Sequence, residues 1–551
     1  MPSKCENCVN NAKTKSKSKG WIIRSKYGES VPHDSLGEHL FNRMRNDQCH
    51  NFMANAESGK AITNKEVLEK SVSLAAILAA RGINVGDRIS IISENCLDWA
   101  VPVIAAIYVG AVAAPLNPAY TEFELRHMLN IAKPRMVFVS RRTEELALKV
   151  ARTLPWSVEI IELDDEALNQ AVVTLEKLLR ESKVRVDPYH YKPVAIGDNS
   201  RRPAAILSSS GTTGLPKGVA LSHRNFFIFL ERSWKPEYLD VQKNDKMIVC
   251  LPFFHGYGIS LLMLALFRSA TIIMMRSFHP DVFLQSIQKY RVTHMPVVPT
   301  MLVFLAKYPT VADYDFSTVR EVICGSAPLP RDIVAEVKSR LKVGNIRDAY
   351  GMTELSIVVC MGDRSGDIGP VGYLLPNILC KVIDPETREI LGPGQQGELC
   401  FKGECVMLGY YDNTEATVQT IDSDGWLHTG DLGYYDENER IYVSGRLKEL
   451  IKYKGFQISP TELEVILMAI PGVKDGAVVG KPDEISGELP IAFVVKEPAS
   501  TLSAQDIVTI INGQLSPQKW LRAGVSFIQE IPRTASGKIL RKELVQMIPK
   551  L

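Results

Sequence analysis

The run Leu207–Val219, which reads LSSSGTTGLPKGV, has the composition of a phosphate-binding loop. Small residues let the backbone approach an anion closely, and consecutive amides and hydroxyls donate to phosphate oxygens. Lys217 adds a compact positive charge. The run is not a Walker A motif, because there a Ser or Thr follows the lysine, whereas here Gly218 does. The run predicts a nucleotide site of another kind, and the alternative is a polar surface turn.

Other residues suit phosphate and carboxylate chemistry, but their types alone do not assign it. Glu354 could hold a hard cation, although an isolated acid at a helix start is usually solvated. Asp431 could accept two hydroxyls or simply cap a turn. A single lysine near a C-terminus, such as Lys538, is ordinarily solvated surface, and a histidine after an apolar run, such as His255, is ordinarily a satisfied core residue. Only the strings around them raise these residues to candidates.

The elements that must position these residues alternate between apolar strands and amphipathic helices from about residue 70. This alternation predicts a largely parallel α/β sheet, in which ligands lie beyond the carboxyl ends of strands. The phosphate-binding run follows such a strand. Helices are predicted at Asp281–Tyr290 and Arg331–Leu341. The predicted strands are Arg88–Ser93, Arg135–Ser140, Val158–Leu163, Ala204–Ser208, Met247–Leu251, Thr271–Met275 and Val319–Cys324.

The length of 551 residues predicts more than one domain. After residue 375 short strands and turns predominate, and a small domain should begin near residue 446 with a helix whose N-cap is Ser459, followed by Pro460 and Glu462. The expected fold is α/β: a large N-terminal domain of stacked α/β sheets plus a β-barrel-like subdomain, and a small mobile α+β C-terminal domain. The expected organisation is a disordered tail (1–20), the large domain (21–444), a hinge (445) and the small domain (446–551).

Composition excludes several classes of protein. The net charge of +2, from 64 bases and 62 acids, gives no support for a nucleic-acid surface. The ten cysteines show no regular spacing, and Cys5–Cys8 is the only CxxC pair, so reduced thiols and an intracellular location are expected. The apolar runs Val101–Leu116 and Ile259–Met275 are interpreted as buried helix and strand segments, because the first is short and the second contains Arg268.

Five strings, taken in order, resemble the adenylate-forming superfamily, which includes acyl-CoA synthetases, 4-coumarate–CoA ligases, beetle luciferases and peptide-synthetase adenylation domains. The resemblance covers about residues 25–545. The strings FFHGYG (253–258) and IKYKGFQ (451–457) are most similar to the coumarate-ligase and luciferase branch. The five strings are SSSGTTGLPKG (208–218), GSAPL (325–329), YGMTE (350–354), GWLHTGD (425–431) and PRTASGK (532–538).

The resemblance implies a reaction in two halves. A carboxylate attacks the α-phosphate of ATP to give an acyl-adenylate and pyrophosphate, and a thiol, usually that of CoA, then displaces AMP. Catalysis must come from positioning and from positive charge around the phosphates. Mg²⁺ would be linked to Glu354. The implied phosphate-binding residues are Ser209, Ser210, Gly211, Thr212, Thr213, Gly214 and Lys217. The other implied nucleotide-binding residues are Gly325, Ala327, Pro328, Tyr350, Gly351, Thr353, Asp431 and Arg446, with Asp431 and Arg446 at the ribose.

The resemblance also assigns catalytic roles. Lys538 would bridge the substrate carboxylate and the α-phosphate, His255 would stand where the acyl and adenylate groups meet, and Arg224 would lie at the edge of the site. Lys452 would act in the second half-reaction from the opposite face of the small domain, and Lys454 and Gly455 would border the CoA tunnel. Gly445 occupies the joint where the family commonly has Asp or Lys, so rotation stays feasible, but no side chain there favours one orientation.

The acid-binding pocket is expected to be lined mainly by apolar or small residues and to contain no fixed cation, which favours an aromatic or aliphatic acid over an amino acid. Its expected lining is His255, Tyr257, Val298, Gly325, Ser326, Gly351 and Ser356. Two alternatives remain: a luciferase-type monooxygenase that acts on its own adenylate, and a non-catalytic nucleotide-binding protein. The terminal Pro549-Lys550-Leu551 resembles a Ser-Lys-Leu peroxisomal signal, so both peroxisome and cytoplasm are kept as locations.

Overall fold

The computed structural model describes residues 21–25, 33, 35–165, 167–209, 215–232, 235, 237–326, 329, 331–364, 367, 369–454, 456–534 and 537–548. Several predictions lie outside these residues. They concern the N-terminal tail, residues 210–214 of the phosphate-binding run, Ala327, Pro328, Gly455 and the C-terminal tripeptide.

The elements of the first 200 residues are β1 (Ile22–Arg24), α1 (Leu36–Asn46), β2 (Asn51–Asn55), β3 (Ala61–Thr63), α2 (Asn64–Ala80), β4 (Arg88–Ile92), α3 (Ala100–Tyr108), β5 (Val112–Leu116), α4 (Glu122–Ala132), β6 (Met136–Val139), α5 (Glu144–Ala151), β7 (Glu159–Glu162), β8 (Val173–Thr174) and α6 (Leu175–Glu181). The next elements are β9 (Pro203–Ser209), β10 (Lys217–Ser222), α7 (His223–Arg232), β11 (Lys246–Val249), α8 (Gly256–Arg268), β12 (Thr271–Met274), α9 (Pro280–Tyr290), β13 (His294–Val297), α10 (Pro299–Lys307), β14 (Glu321–Gly325), α11 (Arg331–Leu341), β15 (Asn345–Tyr350), β16 (Cys360–Met361) and β17 (Tyr373–Leu374).

A strand-rich part follows, with β18 (Ile378–Ile383), β19 (Gly397–Gly403), β20 (Gly409–Tyr410), α12 (Thr414–Thr420), β21 (Leu427–Tyr435) and β22 (Ile441–Arg446). The last part contains β23 (Ile451–Tyr453), β24 (Phe456–Ile458), α13 (Pro460–Met468), β25 (Val473–Asp483), β26 (Gly487–Lys496), α14 (Ala504–Gln514), β27 (Val525–Phe527) and α15 (Arg541–Gln546).

Within the described residues the strands form four sheets. The first large sheet has the order β20-β10-β9-β5-β4-β6-β7-β8, and the second has the order β17-β16-β15-β14-β13-β11-β12-β2-β3. Both are parallel at their centres. The third sheet, β1-β18-β19-β21-β22, is antiparallel, and the fourth contains the five strands β23–β27. The predicted combination of a large α/β domain and a small α+β domain is confirmed.

The apolar side chains of this chain are buried in cores that follow the sheets. One cluster runs through both large sheets, and α3 is buried along its whole length within it. The small domain has its own cores, one around Leu463 and Leu467 of α13 and one around Phe493 and Leu544. Because each core is closed by its own elements, the chain divides into two units near β22.

The predicted elements agree with the observed ones to within a few residues. The apolar run 101–116 forms α3 and β5, and the run 259–275 forms most of α8 and β12. No helix among the described residues is long and apolar enough to cross a membrane. The capping prediction for α13 is wrong in one respect, since the Ser459 hydroxyl donates to the Ser444 carbonyl at 2.6 Å and makes no cap hydrogen bond to its own helix.

Candidate active site

A carboxylate that is almost fully buried lies where the third sheet meets the second large sheet. Antiparallel pairing places Asp431 of β21 opposite Arg446 of β22, and Arg446 Nε lies 2.9 Å from Asp431 Oδ1. The hydroxyl of Tyr350, at the carboxyl end of β15, donates to Asp431 Oδ2 at 2.7 Å. Burial raises the pKa of Asp431, although Arg446 and the Tyr350 hydrogen bond act in the opposite direction. The predicted ribose-binding pair is therefore built as one unit.

A second buried carboxylate joins the phosphate-binding run to β20, the edge strand of the first large sheet. Glu354 belongs to a short 3₁₀ turn, Thr353–Leu355, directly after β15, and it is 4% exposed. Its Oε1 accepts hydrogen bonds from the Ser209 hydroxyl at 2.6 Å and from the Tyr410 hydroxyl at 2.9 Å. The Lys217 ammonium lies 4.5 Å from the centre of the Tyr410 ring. Ser209 thus contacts Glu354 directly, and Lys217 contacts it through Tyr410. The second carboxylate oxygen of Glu354 has no hydrogen bond among the described residues.

The histidine candidate begins a helix that points at the same region. His255 is the N-cap of α8, where its Nδ1 accepts the Tyr257 N–H at 3.3 Å. A Cβ at Gly258 would lie 2.0 Å from the Pro252 carbonyl oxygen, so only glycine permits this tight entry to the helix. Burial, together with a smaller effect of the charge on Lys538, lowers the pKa of His255 to about 4. His255 is consequently a neutral imidazole near pH 7.

Lys538 enters this region from the small domain. The segment Pro532–Leu540 folds back on itself, with Thr534 N donating to Lys538 O at 2.8 Å and Lys538 N donating to Thr534 Oγ1 at 3.1 Å. The turn at Gly537 packs against Val298, at the start of α10 in the large domain. Burial and the charge of Arg446 lower the pKa of Lys538, whereas Asp431, Glu354 and Glu449 raise it. The ammonium therefore lies near charged groups that both units contribute.

Two further residues near these groups, Asp348 and Tyr410, lie outside the recognised sequence motifs. Asp348 is paired with Cys324 across β14 and β15, and it shares the face of β15 that carries Tyr350, because side chains alternate along a strand. Its Oδ1 accepts the Ala349 N–H at 2.9 Å, and its Oδ2 has no hydrogen bond among the described residues. Burial raises the pKa of Asp348 to about 7. Tyr410 is the other such residue, and its contact with Glu354 spans 56 residues.

Several predicted site residues make other contacts. Arg224 forms an ion pair with Glu404 at 2.6 Å, and no contact links it to Asp431, Glu354 or Lys538 within the described part of the chain. The Ser356 hydroxyl is buried and donates to the Cys405 carbonyl at 2.6 Å, which leaves it no role in a pocket lining. Lys452 and Lys454 are exposed on and beside β23, and among the described residues no hydrogen bond or ion pair links them to Lys538, Asp431 or Glu354.

The glycines and aromatic residues of the site define a narrow space. A Cβ at Gly351 would lie 1.9 Å from the Ile357 carbonyl oxygen, and a Cβ at Gly325 would lie 3.7 Å from the Tyr257 ring. The Tyr257 hydroxyl donates to the Ile323 carbonyl at 3.1 Å and so fixes the ring beside the end of β14. Carboxylates, a lysine and a neutral imidazole thus converge at the carboxyl ends of β9, β14 and β15, where open α/β sheets bind ligands.

Comparison with known proteins identifies the family. Residues 41–411 match the AMP-binding enzyme family, and residues 462–538 match the C-terminal domain of AMP-binding enzymes. The chain belongs to the AMP-binding, adenylate-forming enzymes. These matches cover most of the two units seen in the fold, and the site described above lies between them.

Relatives with different activities resemble this AMP-binding enzyme to similar degrees. The chain is 38% identical to luciferin 4-monooxygenase of Photuris pensylvanica, over 90% of this chain and 92% of that protein. It is 36% identical to a probable 4-coumarate–CoA ligase 1 of Dictyostelium discoideum, over 94% and 96% of the two chains. The structure of ATP-bound MatB from Rhodopseudomonas palustris superposes with a TM-score of 0.82 at 30% identity and covers 92% of this chain and 98% of that one.

Proposed function

We propose that this adenylate-forming enzyme is an ATP- and Mg²⁺-dependent acid–CoA ligase, which converts an aromatic or aliphatic carboxylic acid to its acyl-adenylate and then to its CoA ester. The observation that carries the proposal is the position of Lys538. The small domain places this half-buried lysine close enough to Asp431, Glu354 and Arg446 for their charges to shift its pKa. A carboxylate that approaches a triphosphate needs positive charge at the point of attack, and a preorganised ammonium supplies it.

The nucleotide side of the proposal rests on the two buried carboxylates and Asp348. Asp431, held by Tyr350 and Arg446, accepts hydrogen bonds from the ribose hydroxyls, since a carboxylate has acceptor sites for two donors. Asp348, on the Tyr350 face of β15, accepts a hydrogen bond from the amino group of the adenine ring. The amides and hydroxyls that follow Ser209, together with Lys217, hold the β- and γ-phosphates.

The proposed magnesium ligand fits the ion chemically. Mg²⁺ prefers hard oxygen ligands and retains several waters, so one carboxylate together with phosphate oxygens suffices. Glu354 offers such an oxygen, because only its Oε1 is engaged by Ser209 and Tyr410. When bound, the ion would neutralise phosphate charge. The hydrogen bonds from Ser209 and Tyr410 orient the Glu354 carboxylate toward the phosphate-binding run.

The acid side of the proposal rests on the apolar and small residues beside the Tyr257 ring. Its ring lies against the open position at Gly325, and Val298 contributes an apolar surface beside the turn at Gly537. Neutral His255 at the start of α8 allows an uncharged acyl group to lie beside it. These residues favour an acid with an apolar body.

The proposal for the thioester-forming step rests on Lys452 and Lys454, which are outside the group of residues around Lys538. Lys452 and Lys454 are exposed in the orientation that buries Lys538. A rotation of the small domain about the joint at Gly445 would withdraw Lys538 and present the β23 face, which would open the acyl carbon to a thiol.

A luciferase-type monooxygenase is the second candidate, because the luciferin 4-monooxygenases are as similar to this chain as the ligases are. Both activities begin with the same adenylate, so Lys538 and Asp431 serve either one. The activities separate afterwards, since one consumes CoA and the other consumes oxygen and emits light.

The experiment measures pyrophosphate release across a panel of aromatic and aliphatic acids, with and without CoA, and assays CoA esters and light emission in parallel. A ligase gives pyrophosphate and a CoA ester for the same acid. Light emission with a luciferin and no ester with any acid would favour the monooxygenase, and no pyrophosphate with any acid would contradict both activities.

A further inference from the structure

Three metal-binding side chains converge on one buried spot in the third sheet. Glu398 and Cys400 lie on the same face of β19, two residues apart, and antiparallel pairing places His428 of β21 directly opposite Cys400. The Glu398 Oε2, the Cys400 Sγ and a His428 ring nitrogen all lie within 4.8 Å of one another. The His428 Nδ1 is 3.0 Å from Glu398 Oε2 and 3.3 Å from Cys400 Sγ. Glu398 is 5% exposed and Cys400 is fully buried.

The far side of the histidine ring carries a carboxylate. Asp422 Oδ2 lies 3.4 Å from His428 Nε2, opposite the nitrogen that faces Glu398 and Cys400. Asp422 is held in place because its Oδ1 accepts the Trp426 and Asp424 N–H groups at 2.8 and 3.0 Å. A histidine that ligates a metal through one nitrogen usually donates its other N–H to a carboxylate, which fixes the tautomer and the ring orientation. His428 has both halves of this arrangement.

The charge at this spot is at present balanced by a surface arginine. Arg388 Nη1 lies 3.3 Å from Glu398 Oε2, and Arg388 Nη2 lies 3.3 Å from His428 Nδ1. The Arg388 side chain is 56% exposed, so it can swing into solvent without opening the core. A guanidinium therefore covers a set of buried anionic and neutral donors that also suits a divalent ion.

We propose that Glu398, Cys400 and His428 form a binding site for a thiophilic divalent transition metal, of which Zn²⁺ has the best-matched chemistry. A Cys, His and carboxylate set is a normal zinc environment, with a fourth position left for water. On binding, the metal ion loses waters, the Cys400 thiol releases its proton to solvent, and His428 binds through Nδ1 while its Nε2 keeps its proton for Asp422. The bound unit of a divalent ion, a thiolate and a carboxylate is formally neutral.

Hydrogen bonds connect this metal site to residues 429–431, which present Asp431 to the nucleotide. Glu398 Oε1 accepts the Gly430 N–H at 3.1 Å, and the Thr429 hydroxyl accepts the Asp431 N–H at 2.9 Å. A metal on Glu398 Oε2 leaves this contact with Gly430 in place and joins β19 to β21 just before Asp431. The metal should therefore brace the strands that present Asp431, and its predicted role is structural rather than catalytic.

The test is a Co²⁺ titration of the full-length chain, because cobalt replaces zinc and reports thiolate ligation through a charge-transfer absorption band. The parent protein carries Cys5→Ser, Cys8→Ser and Cys49→Ser, which removes the CxxC pair and the exposed thiol as competing ligands. We expect one cobalt per chain, a thiolate band that Cys400→Ser abolishes, and a higher Tm with Zn²⁺ for the parent protein only. Arg388→Ala should tighten cobalt binding several-fold, since the competing guanidinium is gone.

Two results would overturn the proposal: no thiolate band in the parent protein, or an unchanged band in the Cys400→Ser variant. If circular dichroism shows that Cys400→Ser does not fold, X-ray absorption at the cobalt edge of the parent protein decides. One sulfur among nitrogen and oxygen neighbours supports the site, and a shell of nitrogen and oxygen alone contradicts it.

Discussion

At the scale of single residues, Asp431 shows how a motif becomes a site. The string that contains it marks a turn, but the structure adds two partners from separate strands: the Tyr350 hydroxyl donates to Oδ2, and the Arg446 guanidinium forms an ion pair with Oδ1. Burial without these partners would favour the neutral acid. The arrangement keeps a carboxylate in place inside the molecule, where its hydrogen bonds to a ligand are strong.

Replacing this carboxylate should weaken nucleotide binding. Asp431→Asn removes the charge with little change of shape, and losing hydrogen bonds to a charged group costs about 1.5–3 kcal/mol, or about 10- to 150-fold in the KM for ATP. The control is Asp436→Asn in the turn of the same hairpin. A KM for ATP that is the same in both folded variants would contradict the ribose role of Asp431.

Asp348 should contribute to the choice of base. Because its Oδ2 has no hydrogen-bond partner among the described residues, we expect Asp348→Ala to raise the KM for ATP by about 2- to 13-fold, the effect of one neutral hydrogen bond. The KM for GTP should stay unchanged, and Asp348→Asn should retain most of the ATP preference. Equal changes for ATP and GTP would show that Asp348 acts on the fold and not on the base.

At this scale the sequence predicted the residues that lie in strings and missed those that act alone. The strings identify Glu354, Asp431 and Lys538 as candidates. Tyr410 and Asp348 could not be recognised, because their roles come from contacts between distant elements and from the face of a strand. The role of Arg224 stays a prediction, and in the structure its guanidinium forms an ion pair with Glu404.

At the scale of elements, periodicity was sufficient to predict most strands and helices of the large domain. Buried parallel strands such as β11, β12 and β14 are continuous apolar runs, and they stand out between polar loops. The contact at the joint could not be predicted. Ser459 has the residue type and position of a helix cap, but its hydroxyl donates to the Ser444 carbonyl of β22 and accepts no amide of α13.

The joint itself gives a directional prediction. Gly445 lies in β22 with φ of +155°, and a Cβ there would be 2.5 Å from Ser459 Oγ. Proline requires φ near −65°, so Gly445→Pro is incompatible with the orientation that buries Lys538. Backbone strain of about 1–3 kcal/mol would reduce this orientation by about 5- to 150-fold. We expect slower pyrophosphate release, while CoA ester formation from a synthetic acyl-adenylate is retained.

The control for this prediction is Gly524→Ala. Gly524 also belongs to the small domain and has φ of +78°, but a Cβ there meets nothing within 4 Å. The Gly524→Ala variant should therefore show the effect of backbone strain alone, without a change of domain orientation. Wild-type pyrophosphate release in a folded Gly445→Pro variant, or selective loss of the CoA step, would show that the joint does not work in this way.

At the scale of the whole molecule, two units with separate cores meet at the site. Lys307 of α10 reaches the small domain, where its ammonium lies 2.8 Å from Glu497 Oε1 and 3.2 Å from the Val473 carbonyl. Such polar contacts are easily exchanged for water, which suits the proposed rotation of the small domain. The sequence predicted a strand-rich part after residue 375 and a separate small domain from near residue 446, but it could not predict which face of the small domain meets the site.

Buried histidines make the stability of the molecule depend on pH. His223 is fully buried, and both of its ring nitrogens have no hydrogen-bond partner within the described residues. Burial lowers the pKa of His223 to about 4. Because the unfolded chain takes up this proton near pH 6.5, the stabilisation is fully present above pH 6.5 and is lost as the pH falls toward 4, by up to about 3 kcal/mol.

The measurement compares urea unfolding of the wild type and His223→Gln at pH 7 and pH 5. The wild type should lose more free energy of unfolding than the variant between these two values. Burial also raises the pKa of Glu162 to about 8, which stabilises the fold as the pH falls, but this effect is common to both proteins and cancels in the difference. Equal losses in the two proteins would mean that His223 is accessible to protons in the folded state.

The central claim is that the small domain delivers Lys538 to the carboxylates of the large domain in order to form an acyl-adenylate. The most direct measurement takes the acid that the panel identifies and determines two rates: pyrophosphate release from acid and ATP, and CoA ester formation from the synthetic adenylate. The proteins are the wild type, Lys538→Ala and Lys542→Ala, an exposed lysine on α15 of the same domain. We predict that only Lys538→Ala loses adenylation, by about 10²- to 10³-fold, while all three proteins retain the CoA step. Adenylation by Lys538→Ala at the rate of Lys542→Ala would contradict the account.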